Sequence, residues 1–309
     1  MAILLQLPSE LLSDILTYAL DIHRTPGDIL CVHSHVNATG KHVLYSRLRF
    51  TSVRQLELFS QTQSSLPCSP RTLHLALPGG GASLDVFRSL RRALQRCLQS
   101  LKPAPDAEHI SKLPLELLSL RLNSHTMDPH LQEIYDALVL ASPREFIWFG
   151  PDPGHHFSTA IVPPATSHLF RAISTWKDVE HITITNIAFP TGTSLLCEPL
   201  DPAAPLLPTM PALRTLHIGQ ATFLPPTVIA AMVCLVPQPC LELVRLVDAY
   251  GESIWGRRIR RSDIEKAITL LGLDTVAAAL KRIRRIVRCE AQNERIIGGD
   301  RAEGRVFLE

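Results

Sequence analysis

Four places in this sequence bring residues with useful chemistry close together. Cys31, His33 and His35 alternate, with His42 nearby, and thiolate and imidazole are the usual ligands of zinc. A structural zinc site takes a second Cys or His pair a dozen or so residues away, which alternate spacing does not supply. Surface or partly buried histidines are therefore expected there. Gly154-His155-His156-Phe157-Ser158 has the ingredients of a nucleophile elbow, but no serine sits between glycines at the spacing that sharp turn needs. Gly79-Gly80-Gly81 reads as a turn, with neither the Lys-Ser/Thr of a phosphate loop nor the spaced glycines of a dinucleotide loop. Asp106, Glu108 and His109 fall in one polar loop, where the carboxylates have no partner to act on. These residues supply no catalytic set, no cofactor site and no metal site, and an enzyme is not expected.

The strongest electrostatic feature is basic and lies near the C-terminus. Arg257, Arg258, Arg260 and Arg261 form one cluster, and Lys281, Arg282, Arg284 and Arg285 a second. Residues 251–309 hold 13 Lys/Arg against 9 Asp/Glu, a net +4, so the first 250 residues sum to −2 within a chain total of +2. The second cluster is expected on a helix with Leu280, Ile283, Ile286 and Val287 on its apolar side. Its leading role is the solvated outer face of an element that caps the fold; a nuclear-import signal and a site for an acidic partner are the alternatives. Nucleic acid is not the expected partner, because Trp255 is the only stacking platform nearby. The balance of 31 basic and 29 acidic residues gives no whole-chain attraction to nucleic acid or anionic membrane.

These side chains sit in a chain of globular composition, with 46% hydrophobic and 19% charged residues. At this length about three quarters of the unfolded surface can be buried, enough for a core without disulfides or metals. Seven cysteines at irregular spacings suit reduced thiols better than a disulfide framework. Pro8, Glu10 and Asp14 interrupt the apolar N-terminus, and the longest near-apolar run, Val228 to Val236, falls short of the ~20 residues a bilayer crossing needs. A soluble intracellular protein, cytoplasmic and/or nuclear, is expected, with no membrane partner.

The periodicity divides the chain in three. Up to residue 60, three short helical pieces follow one another. In the first, Leu11, Leu12, Ile15 and Leu16 recur on a 3.6-residue period behind Pro8, which suits a first helical turn. The second holds Ile29 to Val32, and the third, through Val43-Leu44-Tyr45, leads into Leu48 and Phe50. Across residues 61–250, strand-like alternations recur at Leu73/Leu75, Leu120/Leu122, Ile147/Phe149, Ile182/Ile184, Leu216/Ile218 and Val244/Leu246. Their first members are 47, 27, 35, 34 and 28 residues apart. Helix-period stretches lie between them at Leu84–Leu101, His130–Leu140, His168–Ile173 and Thr227–Leu235, with proline-rich connectors such as Pro103–Pro105 and Pro199–Pro211. A strand and a helix repeating in this way predict an α/β fold: an irregular leucine-rich solenoid with a curved parallel sheet. The six alternations should lie on neighbouring parallel strands in chain order. Residues 251–309 predict a basic helical cap, with a helix from about Asp263 to Val287 begun by Ser262, divided at Gly272 and Asp274 if at all, and a frayed tail.

Leu7-Pro8-x-Glu10-Leu11-Leu12-x-x-Ile15-Leu16, followed by Val43-Leu44-Tyr45-x-x-Leu48-x-Phe50, resembles the opening helix, third helix and exit strand of F-box motifs. With the leucine-rich strands behind it, the chain is similar to fungal F-box-like proteins. That resemblance implies a substrate-recognition adaptor of an SCF-type ubiquitin ligase. Leu7, Pro8, Leu11, Leu12, Ile15, Leu30 and Val32 would dock on the Skp-type linker, and the repeats would hold a target protein. No tryptophan closes the second helix, where His33, His35 and Asn37 stand, and residues 21–28 are longer than the motif's usual connection. A stand-alone leucine-rich scaffold, whose N-terminal helices merely cap the array, is the alternative.

Overall fold

The computed structural model describes residues 6–23, 25–77, 85–101, 112–125, 128–152, 158–191, 201, 204–272, 275–293 and 306–309. The Gly79–Gly81 turn, the Pro103–Pro105 connector, the Asp106–His109 loop, residues 154–157 and the glycines of the tail lie outside them.

Among the described residues nine strands form one sheet, in chain order from β1 to β9. They are β1 (Arg47–Phe50), β2 (Thr72–Ala76), β3 (Leu113–Arg121), β4 (Ala141–Phe149), β5 (His181–Ala188), β6 (Thr215–Thr222), β7 (Leu243–Val247), β8 (Val287–Ala291) and β9 (Val306–Phe307). The first eight pair in parallel, and β9 alone runs antiparallel, against the end of β8. The helices are α1 (Ser9–Ile22), α2 (Pro26–Leu30), α3 (Ser34–Ser46), α4 (Val53–Gln61), α5 (Val86–Gln99), α6 (Gln132–Leu138), α7 (Pro163–Ile173), α8 (Pro226–Cys234), α9 (Arg261–Ala267) and α10 (Val276–Ile286). Parallel strands need crossover connections, and α4 through α8 lie within those segments, with neighbouring helices of α4–α7 in contact.

Two rows of side chains cross the sheet in register and form the core. One runs Leu48, Leu73, Leu118, Phe146, Ile182, Leu216, Val244, Val287, and the other Phe50, Leu75, Leu120, Trp148, Ile184, Ile218, Leu246, Cys289. All sixteen are buried. Trp148 packs on Phe87 of α5 with ring centres 5.3 Å apart and gives its indole N–H to Leu122 O at 3.1 Å. Trp176 packs on Phe146 at 4.9 Å and donates to Leu138 O at 3.2 Å. Both tryptophans thus bury their area while keeping their polar atom paired.

The strand alternations expected from the sequence fall on parallel strands in chain order, with two register corrections. On β4 the buried pair is Phe146/Trp148, and Ile147 and Phe149 face the other way. On β3 the core rows are met by Leu118 and Leu120, two residues earlier than Leu120/Leu122. The C-terminal region also differs. Arg260, not Ser262, caps α9, its backbone N–H bonded to Asp263 Oδ2 at 2.9 Å. The helical stretch is broken: α9 passes through a 3-10 turn to Gly272 at φ +62° before α10, and Val287 opens a strand rather than ending a helix.

The strand entrances carry a second order. Arg71, Glu116, Arg144, Glu180, Arg214 and Glu242 stand one residue before registered positions, so their charges alternate along the sheet. Arg71 meets Glu116 at 2.5 Å, and Arg214 reaches Glu242 at 3.2 Å and Glu180 at 3.7 Å. Each exposed pair contributes little, roughly 0.2–1 kcal/mol. Slipping a strand by one residue would break the alternation and turn the core rows outward at once.

Candidate interaction surfaces

The N-terminal helices have a small core of their own. Leu12, Leu16 and Leu20 of α1 close on Val36 and Val43 of α3, with Ile29, Leu30 and Leu44 packed around them. The opposite stripe of α1 is also apolar. Leu11, Ile15, Tyr18 and Ile22, at spacings of four, three and four, are 51%, 42%, 72% and 81% exposed. Of the docking residues read from the sequence, Pro8, Leu11, Ile15 and Val32 are exposed and Leu7 is half-buried. Leu12 is not on that face: it is fully buried. Leu30 is half-buried against the small core, its Cδ2 filling the place where a Cβ on Gly40 would stand. Tyr18 and Ile22 belong to the exposed stripe and were recognisable by continuing the period from Ile15.

His33 is used structurally. It precedes α3, and its Nδ1 accepts from His35 N at 3.1 Å, as an N-cap side chain does. Among the described residues no group of three or more His, Cys, Asp or Glu is placed to hold a metal ion. No helix among them is long and apolar enough to cross a membrane.

The basic clusters prove to be mostly paired. Arg258 is 1% exposed and gives its Nε to Asp248 Oδ1 at 2.8 Å, both side chains buried. Arg257 pairs with Asp263. Arg261 reaches Glu309 at 3.2 Å, and Arg284 makes two 3.0 Å bonds to Glu265, which hold that carboxyl below its ordinary range. Arg282 was expected in water, yet it is half-buried and donates to Gln238 O at 3.1 Å. Lys281, Arg285 and Arg288 are exposed. Arg260, half-buried, stands at the start of α9.

The second surface is the open face of the sheet, opposite the core rows. Its central row runs Ser119, Ile147, Thr183, His217, Arg245, Arg288. At the strand exits this face deepens into a groove of about 680 Å³ between Arg121, Phe149 and Asp152 at one end and Val247, Gln292 and Asn293 at the other. Asn186, Gln220 and Asp248, each two residues past the last core-row residue of its strand, adopt left-handed backbone at φ 61°, 45° and 49°. Side-chain bonds hold these turns. Asn186 Oδ1 accepts from Gly150 N at 3.3 Å, and its Nδ2 bonds Gln220 Oε1 and Ser158 O. Asp248 accepts from Arg258, from Gln292 N and from Asn293 N and Nδ2 at 2.8–3.1 Å. Asn and Asp tolerate left-handed backbone well, and the bonds around Gln220 compensate for its less common use there.

Beside the groove on the same sheet face, Arg245 makes a two-pronged bond to Glu290 at 3.0 and 2.8 Å, with Glu290 almost fully buried. His217, between Thr183 and Arg245 in register, is pushed down to about 4 by burial first and the Arg245 charge second, Glu290 opposing. Its ring is therefore neutral near pH 7, and its Nε2 is buried without a partner. Arg121 lies over Phe149 with its guanidinium 5.6 Å from the ring centre and donates to Pro151 O. Sequence reading missed this groove, although a glycine inside an apolar strand, Gly219, is a known sign of close approach. No protein-family model matches the chain, and no curated protein matches it.

Proposed function

We propose that this protein is a binding adaptor without chemistry of its own. Its N-terminal helices dock on a Skp-type linker of an SCF ubiquitin ligase, and its sheet, the inner wall of an irregular leucine-rich solenoid, holds a target protein. The observation that carries the reading is the apolar stripe Leu11–Ile15–Tyr18–Ile22, exposed on a helix whose other stripe already fills a core of its own. A helix needs only one apolar face to pack, and a second, solvent-facing one marks a partner surface. The stripe belongs to the segment that resembles the F-box opening helix, and the open sheet face offers a groove at some distance along the chain. Co-expression of the full chain with a Skp-type linker protein tests the proposal: the two should purify together as one species. Separate elution of two well-folded proteins would refute it.

A further inference from the structure

We propose that the outer edge of β8 is a docking site for an extended, leucine-bearing acidic segment of a partner protein, and that residues 306–309 of this chain occupy part of it as a stand-in. The inference does not depend on the docking helix and concerns the opposite end of the sheet.

The chain's own segment displays what the edge reads. β9 pairs antiparallel with β8 at Glu290 and Ala291, and the Leu308 N–H continues the pairing onto Cys289 O at 2.8 Å. From the other side the Arg261 N–H, at the start of α9, donates to Leu308 O at 3.1 Å. The segment therefore lies in a slot between a strand edge and a helix start. Leu308 is its one buried side chain and joins the main core at the end of the row that closes on Cys289, whereas Val306 and Phe307 are 41% and 59% exposed. Glu309 follows with its carboxylate 3.2 Å from the Arg261 guanidinium. Main-chain bonds supply affinity in strand addition of this kind, and the side-chain socket supplies the choice of ligand.

The slot is longer than the segment in it. Val287 and Arg288 of β8 have no strand on their outer side among the described residues. A groove of about 270 Å³ opens along them, rimmed by Arg261, Arg284, Arg285 and Arg288. Arg284 is matched by Glu265 and Arg261 by Glu309, while Arg285 and Arg288 are exposed and make no ion pair among the described residues. A segment that keeps the direction of β9 and carries carboxylates after its leucine meets these two arginines; a basic one meets four like charges. Complementarity of charge selects the first and rejects the second. An acidic segment repeats every bond that residues 306–309 make and adds ion pairs to them, so it displaces them by competition.

The test is fluorescence anisotropy on the full-length protein, with a labelled, amidated peptide that repeats residues 305–309 and continues with Asp-Glu. Leu308→Asp, which frees the slot and leaves its walls unchanged, should bind the peptide at least about ten-fold more tightly than wild type, whose own segment competes. Replacing the peptide's leucine by Asp should weaken binding by about ten-fold or more, the loss of one buried leucine. A peptide continued with Lys-Lys should bind more weakly than the acidic one, by a margin that shrinks as salt is raised. Loss of native circular dichroism in Leu308→Asp would make residues 306–309 a fixed part of the core and overturn the proposal. So would absent binding to the folded variant, equal affinity for the acidic and basic peptides, or equal binding by wild type and Leu308→Asp. A wild-type dimer in light scattering that Leu308→Asp dissolves would assign the edge to a second copy of the chain and overturn it as well.

Discussion

Lowering the pH should destabilise this protein through His217 by an amount that one substitution can isolate. The imidazole is held neutral in the folded state, its pKa moved from 6.5 to about 4 by burial and by Arg245. The unfolded chain therefore binds a proton between pH 4 and 6.5 that the native state refuses. By linkage, stability is intact above the unfolded value and falls as pH drops through that window. The full shift corresponds to roughly 3 kcal/mol below pH 4, and to about 2 kcal/mol at pH 5 compared with pH 7.5. Water reaching the half-buried ring screens part of this, so ~2 kcal/mol is the upper figure. His74 and His168 are lowered too, both by burial first and then by Arg49 and Arg171 respectively, and add slopes of the same sign. Comparison with His217→Gln, which stays neutral at every pH, isolates the single residue. Urea denaturation at the two pH values should show wild type losing up to ~2 kcal/mol more than the variant. Equal losses would mean that His217 is not held neutral and that the electrostatic description of the groove is wrong.

Three further perturbations probe the frame around the two surfaces. Asp248→Asn keeps a side chain that tolerates left-handed backbone but removes the carboxylate charge from the buried pair with Arg258, and should cost more than ~1 kcal/mol in urea denaturation; a smaller change would contradict the pairing. Deleting residues 252–309 removes β8, which lies beside Val244 and Leu246, and should give aggregation in light scattering; a monodisperse product as stable as the full chain would show that the region is an appendage. Arg285→Glu should change the unfolding free energy by less than ~0.5 kcal/mol, as exposed charges do, whereas Arg282→Glu should cost more because Arg282 is half-buried and bonded to Gln238 O; equal effects would refute that distinction.

The sheet was legible because period-2 alternation survives in nearly every strand, but its register was not always so. Residues 146–149 are Phe-Ile-Trp-Phe and 117–118 are Leu-Leu, apolar on both parities, so alternation alone cannot choose a face. Trp148 and Leu118 point inward because the neighbouring rows and α5 are there to receive them. Ile283, Ile286 and Val287 fit one helical stripe, so periodicity alone places Val287 in a helix; the chain turns extended there because β7 offers an edge to pair with, a long-range fact. The same holds on α1, where Leu12 and Leu11 are equally apolar and the position of α3 decides which is buried. The groove was hidden for a different reason. His217, Gly219 and Thr185 are ordinary strand residues one by one, and only registration of β5, β6 and β7 makes a pocket of them.

The docking claim is tested most directly by titrating a purified Skp-type linker protein into the full chain in a calorimeter. A one-to-one complex is expected for wild type and for Arg285→Glu. Leu11→Asp, with its circular dichroism unchanged, should bind at least about 30-fold more weakly, the loss expected for an anchor worth ~2 kcal/mol or more. No heat of binding with wild type, or equal affinity for the folded Leu11→Asp protein, would contradict it.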